Sequence, residues 1–476
     1  MKKIFILIPL ILIWVAFDTS TPLHLDKWKG QIKADINWKN IQSEATEILQ
    51  GYIKIKSIRG NELEAVNYLS AILNKEGIKT KIIPLPNNPK RAILLAEIQP
   101  SQPTKKPGVI LASHSDVVEA QAAEWKVDPF AGTLKGNYIY GRGAIDMKGM
   151  GVMQLMSFIL LKRHKLPIKR KIMFMVLPDE ETSGLGAKYM IRLKQQYLSD
   201  YRYMLNEGGL GTKDIVVKGS TFFNVQYAEK GIIWLSFKAQ GKSGHGSTPY
   251  KEYASKNLLN FYQEILAFDH EMIFTPETES MLYQFGTIAP FPKNFFLKRA
   301  GNPLIRPLLK GAIESNRHLR ALTSHTRSIT GLKTNEGIGT NLITPEAYGK
   351  MDIRILPNIK AKDYLDKIRE VADKYGILVI VNFSRDATKS PINTPFFKAI
   401  GSVVQKHVPG SVVTPFMSTG GTDSAFFRQA GFDCYGLIPG IFENKEIEGM
   451  HGKNERISQQ NLLLGIQVIT DLVSNF

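Results

Sequence analysis

Five short polar motifs hold most of the chemistry this sequence can perform. The first is Ser113-His114-Ser115-Asp116, directly after the apolar run 109–112. His114 offers an imidazole nitrogen to a metal. Side chains two apart on a strand share a face, so Asp116 can take the other ring N–H and orient the ring. The second, Gly141-Arg142-Gly143-Ala144-Ile145-Asp146-Met147-Lys148-Gly149, sets Asp146 in a glycine-permitted turn, where one carboxylate can bridge two ions. The third, Pro178-Asp179-Glu180-Glu181, crowds acids at the end of the run 172–177. Their mutual repulsion points to a positive centre, with one acid binding metal and its neighbour acting as general base. Asn206-Glu207-Gly208-Gly209 and Gly449-Met450-His451-Gly452 supply a further carboxylate and a second imidazole.

Each motif alone has an ordinary explanation. A lone histidine is more often structural than a ligand, a glycine-flanked aspartate usually caps a turn, and acid pairs are common in solvated loops. Together they offer two imidazoles and three carboxylates, with a further acid left free for proton transfer. Cys434 is the only cysteine, so a disulfide within the chain and any Cys-rich zinc site are excluded. Nitrogen and carboxylate donors of this kind suit a pair of zinc ions.

Elements that could position these groups follow from periodicity. Apolar residues recur at helical spacing from Leu63 to Leu73, with Gly77 as a stop, and again over 150–161. Extended runs fall at 78–83, 92–98, 109–112 and 172–177. Strands alternating with helices predict an α/β sheet flanked by helices, and sites in such sheets gather at the carboxyl ends of strands. From about residue 230 the texture changes to a strand at 232–239, a helix at 253–268, and a run in which Met351, Ile353 and Ile355 alternate with Asp352 and Arg354. A helix at 363–375 and a strand at 377–383 complete a small α+β unit. The expected organisation is a leader over 1–25, a catalytic domain formed by 40–228 and 384–476, and an inserted α+β lid over 229–383.

The chain has 476 residues, ample apolar content and a net charge of +18. No nucleic-acid-binding signature accompanies the charge, so nucleic acid is not an expected partner. An adaptor reading, on membrane or nucleic acid, would rest on charge alone and explain none of the motifs. Lys2 and Lys3 precede residues 4–17, which carry no charge. This resembles a secretory leader, or an uncleaved anchor, and places the protein outside the cytoplasm or on a membrane. Residues 292–333 hold nine Lys or Arg against one acid, interleaved with Phe295, Phe296, Leu297, Ile305, Leu308 and Leu309. A solvated basic face is the ordinary account of such a run; an anionic membrane surface is the functional one.

In motif order and spacing, the chain from about residue 41 onward resembles the metallopeptidase family of carboxypeptidase S, aminoacylase, glutamate carboxypeptidase, acetylornithine deacetylase and succinyl-diaminopimelate desuccinylase. Residues 114–149 carry the resemblance best, including Trp125, Pro129-Phe130 and Tyr140-Gly141-Arg142-Gly143. It implies a zinc-peptidase-type catalytic domain with a lid that dimerises in many members. One zinc would be held by His114, Asp146 and Glu207, the other by Asp146, Glu181 and His451, with Asp146 and a water or hydroxide between them. Glu180 would be the general base and Asp116 the partner of His114. His245, in Gly244-His245-Gly246-Ser247, would reach the active site of a partner subunit. Asn341 would contact substrate, Arg354 would bind its carboxylate, and Gly420, Gly421 and Thr422 would offer backbone N–H groups. The implied reaction is hydrolysis of an amide beside a free-carboxylate amino acid, on short peptides as in carboxypeptidase S or alternatively on N-acyl amino acids. A catalytically dead binding protein is disfavoured, because the five ligands and the base are all present.

Overall fold

The computed structural model describes residues 22–476, apart from 216, 269–271 and 335–338. Of the expected leader, residues 1–21 lie outside the described residues. Among the described residues no helix is long and apolar enough to cross a membrane.

The strand Gly108–His114 is buried throughout, as its unbroken apolar run requires of a central strand. It pairs in parallel with Ile172–Leu177 on one side and with Tyr201–Lys213 on the other. These three form the middle of a nine-stranded mixed sheet. Beyond Ile172–Leu177 lie Asn88–Ile98 and the edge strand Thr80–Leu85, both antiparallel. Beyond Tyr201–Lys213 come Asp433–Phe442 and Thr221–Glu229, and Val412–Ser418 joins the latter in parallel. The helix Lys148–Arg163 is buried on nearly every side. Its apolar residues therefore occupy all faces instead of a stripe. It packs against the last helix, Gln459–Asn475, and against Trp38–Lys54.

The lid is a four-stranded antiparallel sheet ordered Thr326–Thr334, Glu346–Ile355, Gly231–Gln240, Ile377–Arg385. Helices Ala254–Ala267 and Ala361–Lys374 contribute their apolar faces to its own core. Met351, Ile353 and Ile355 point into that core while Asp352 and Arg354 stay half-exposed, as the alternation predicts.

The lid bounds shift slightly from expectation. Glu229 still belongs to the catalytic sheet, the chain crosses at Lys230, and the returning strand runs to Arg385. A larger difference concerns the stretch after residue 271, which is lid in sequence but not in space. The helix Pro276–Gly286 packs on Val412–Ser418, and Phe285 meets Phe222 edge-on with ring centroids 5.0 Å apart. Phe274, Met281 and Leu282 join the catalytic core, not the lid core. The helix is well started, with Pro276 in its first turn and the Thr275 side chain accepting from Thr278 N–H. Its apolar face needs a partner, and the sheet offers one.

Candidate active site

Three adjacent parallel strands bring the predicted ligands together. His114 ends its strand opposite Leu177, so Glu180 and Glu181 emerge beside it in the loop after Ile172–Leu177. Leu111 lies opposite Leu205, which carries Glu207 level with the end of the His114 strand. Glu207 sits within its strand, not after it. Gly208 takes φ +113, a conformation glycine adopts without strain.

The distances define two groups that share one carboxylate. His114 Nε2 is 3.2 Å from Asp146 Oδ1 and 3.5 Å from Glu207 Oε1. His451 Nε2 is 3.2 Å from Asp146 Oδ2 and 3.0 Å from Glu181 Oε2. Each set, His114/Asp146/Glu207 and Asp146/Glu181/His451, offers donor atoms within 4.8 Å of one another. The two oxygens of Asp146 face different histidines, as a bridging ligand must. Donors and spacing fit two cations.

The electrostatics carry the same message. Burial, then the Asp146 charge, pushes the Glu207 carboxyl up to about 7. Burial, followed by Glu207, raises Glu180 well above the carboxylate range. Hydrogen bonds to Asp146 and Glu181 lift His451 to about 10. Burial opposes a charge on Asp146, yet the hydrogen bonds from His114 and His451 hold its carboxyl below the ordinary value. Burial and like charge thus disfavour the anionic carboxylates that a metal charge would stabilise.

Asp116 departs from its expected role. His114 Nδ1 lies 2.9 Å from the backbone carbonyl of Asp116, whereas the Asp116 carboxylate is 3.8 Å away. That carboxylate instead accepts the backbone N–H groups of Glu180 and Glu181 at 3.2 and 3.0 Å. The strand has ended at His114, so strand alternation no longer governs Asp116. Its effect is to fix the loop that carries Glu180 and Glu181. Asp179 secures the same loop from within, bound to Arg91 Nη1 at 2.5 Å and Ser183 Oγ at 2.6 Å.

The substrate-binding candidates are placed unevenly. Arg354 forks onto Asp352 at 2.7 and 2.9 Å and lies over Trp234, so its guanidinium is already paired. The glycine loop is served by other groups. Thr422 N–H and Oγ1 donate to Glu229 at 3.0 and 2.7 Å, and Glu229 pairs with Arg385 at 3.0 Å and Arg428 at 2.7 Å, all buried. A Cβ at Gly421 would stand 2.6 Å from Ile232 Cδ1 and 2.7 Å from Arg385 Nη2, so a larger residue there would require these side-chain ends to move. Gly420 N–H is turned to Ser418 Oγ. His245 and Asn341 meet on the lid, where Gly244–His245 pairs with Leu342–Ile343 and Gly246 N–H donates to Asn341 O at 2.6 Å. His245 is exposed, with its Nδ1 held by Ser247 Oγ at 2.7 Å.

Three contributing acids were not foreseen as site residues. Glu455 is fully buried and gathers Arg142 Nη1 and the N–H groups of Gly143, Ile145 and Asp146 at 2.7–3.0 Å. It thereby shapes the Asp146 turn, and its place four residues after His451 was the available signal. Asp423 is buried beside Glu207 and Glu180, with Oδ1 lacking a hydrogen-bond partner. Glu229, ending an apolar strand at the lid crossing, is the third.

Fold and site together define a hydrolase of the metallopeptidase class, with a mixed-sheet catalytic domain and an inserted lid. The chain belongs to peptidase family M20/M25/M40, whose profile matches residues 110–475. It is 29% identical over 393 residues to the human N-fatty-acyl-amino acid synthase/hydrolase PM20D1, covering 80% of this chain and 76% of that one. It is 25% identical to the probable carboxypeptidase S-like 2 of Dictyostelium discoideum, covering 77% and 71%. The fold matches the M20 family metallo-carboxypeptidase of Sulfolobus solfataricus with a TM-score of 0.71 at 19% identity, over 91% of this chain and 99% of that one.

Proposed function

We propose that the chain is a two-zinc amide hydrolase for amino acids bearing a free carboxylate, with N-acyl amino acids as the substrate class. The observation that carries the reading is the pair of donor sets sharing Asp146, with Glu180 beside Glu207 and outside both sets. His114, Asp146 and Glu207 would hold one zinc, and Asp146, Glu181 and His451 the other. Bound there, zinc would supply the Lewis acidity that eases ionisation of a water and draws charge from the amide carbonyl.

The remaining work falls to the chain. Glu180 takes a proton from the attacking water on its carboxylate and returns it to the leaving nitrogen as the C–N bond breaks. Asp116 holds the Glu180 and Glu181 N–H groups and so fixes the height of the base above the ligands. The loop of Gly420, Gly421 and Thr422, braced by Glu229 and Arg385, receives the substrate carboxylate; Arg354 joins it by exchanging Asp352 for substrate. His245 and Asn341, side by side on the lid, serve the reacting centre of a second copy in a lid-mediated homodimer. Lys2, Lys3 and the uncharged run after them support action outside the cytoplasm or from a membrane anchor.

The name of the human relative favours N-acyl substrates with apolar acyl groups. Short peptides, the first expectation from sequence, remain a second reading favoured by the carboxypeptidase S-like relative. Zinc-reconstituted protein assayed against paired panels of N-acyl amino acids and dipeptides separates them; the N-acyl panel is expected to give the higher kcat/KM. Glu180→Gln should keep two zinc ions and lose roughly 1000-fold or more in kcat. Full activity in that variant removes the mechanism, and a wild-type protein inert on both panels with zinc bound removes the function.

A further inference from the structure

We propose that the helical insertion preceding the lid strand Thr326–Thr334 is a docking surface for an anionic phospholipid bilayer. The insertion turns apolar side chains outward where it has no need to. In the helix Arg306–Ser315 only Ile313 is buried. Leu308 in that helix and Leu304 in the turn before it are 66% and 47% exposed, and Phe291, in the turn before the helix Lys293–Lys298, is 82% exposed. Single exposed apolar residues need no explanation, but three large ones in one basic insertion do.

Charge is sorted across the insertion as well. Its acids Glu277 and Glu279 are drawn inward to Lys389 at 2.9 Å and Arg306 at 3.2 Å. Outside stand Lys293, Lys310, Arg317 and Arg320; among the described residues of the insertion the one exposed acid is Glu314, 3.8 Å from Lys310. A second copy of so cationic a face would meet like charge. A nucleic acid would satisfy the cations but leave Phe291 and Leu308 without an apolar partner. A bilayer with anionic headgroups satisfies both.

The path of the N-terminal segment is an independent observation. Leu25 packs at Gly401, where a Cβ would stand 2.7 Å from Leu25 Cδ1 and 3.3 Å from Val413 Cγ1. Trp28 Nε1 donates to Asp471 at 3.1 Å. Val413 lies in Val412–Ser418, the strand that also carries the insertion's helix Pro276–Gly286. Leu25 therefore runs beside the strand on which the insertion sits.

Cys434 is buried and is the only cysteine, so Leu308→Cys in the full chain accepts a single environment-sensitive fluorophore. Vesicles of phosphatidylcholine with about one-third phosphatidylglycerol should shift its emission to the blue, and phosphatidylcholine alone should not. Salt at about 1 M, where the screening length is roughly 3 Å, should abolish the shift. The same fluorophore at Lys105→Cys should report nothing, which separates docking of this face from attachment through the first residues. Neutralising Lys310, Arg317 and Arg320 to Gln should weaken the response about a hundredfold in lipid concentration while hydrolysis of a soluble substrate is unchanged. An equal shift on neutral vesicles, no shift on either, or a shift that follows protein concentration without lipid overturns the proposal; the last outcome would identify a second copy as the occupant.

Discussion

Glu455 shows how a single buried carboxylate organises chemistry it does not perform. Its two oxygens accept from Arg142 and from the N–H groups of Gly143, Ile145 and Asp146, the carboxylate common to both donor sets. The Arg142 side chain is only 3% exposed, so removing its partner strands a cation in the interior. Breaking such a buried pair from one side typically costs about 3–5 kcal/mol. Glu455→Ala is therefore expected to lower the thermal midpoint clearly and to reduce zinc content together with activity. Glu455→Gln, which retains one good acceptor, should lie between this variant and the wild type. Metal analysis alongside thermal unfolding checks both, and wild-type zinc affinity in the alanine variant would show that the Asp146 turn holds itself.

At the scale of elements, the crossing between sheet and lid is the joint that matters. Lys230 is fully buried there and donates to Ala321 O at 2.9 Å and Ser324 O at 2.8 Å, tying the crossing to the inserted helices. Burial, with the charge of Arg354 next, pushes its amine down to about 7. The unfolded chain keeps this lysine protonated up to about pH 10.4. Between those values the unfolded state binds a proton that the folded state does not, so this group makes stability rise with pH across the window. Lys230→Met should remove that rise, read as a smaller gain in urea midpoint from pH 7 to pH 9.5 than the wild type shows. Equal gains in the two proteins would mean that Lys230 stays charged in the fold.

For the whole molecule, the dominant cost is the convergence of carboxylates from distant parts of the chain. Asp146, Glu181, Glu207 and Glu180 meet beside the end of the His114 strand, with two imidazoles, His114 and His451, among them. Cations that bind the folded chain alone stabilise it by mass action, by about 4 kcal/mol at a thousandfold excess over Kd. Chelation should therefore lower the thermal midpoint by several degrees and abolish hydrolysis, and added zinc should restore both at pH 7. At pH 5 the same zinc should restore less, because imidazoles must be deprotonated to bind metal. A midpoint indifferent to chelator and zinc would mean that the cluster is neutralised by protons alone.

Much of this was legible in the residues themselves. The five candidate ligands and Glu180 stand in short motifs, several at or near strand ends, and many elements followed from periodicity; the strand 172–177 was placed to the residue, whereas the run expected at 78–83 forms Thr80–Leu85 and that at 109–112 extends over Gly108–His114. Local chemistry and local geometry coincide there, so a linear reading suffices. Asp116 marks the limit: its spacing from His114 was informative only while the strand continued, and the strand stops at His114. The roles of Glu455, Glu229 and Asp423 were set by tertiary structure, because a buried acid is defined by donors that arrive from elsewhere in the chain. Glu229 meets Arg385, Thr422 and Arg428 only after the lid has left and returned. The inserted helices show the same division. Their amphipathic pattern declares that one face must be buried, but a pattern carries no address. Only the packing of Pro276–Gly286 on Val412–Ser418 decided that this face would join the catalytic domain, leaving the basic face outward.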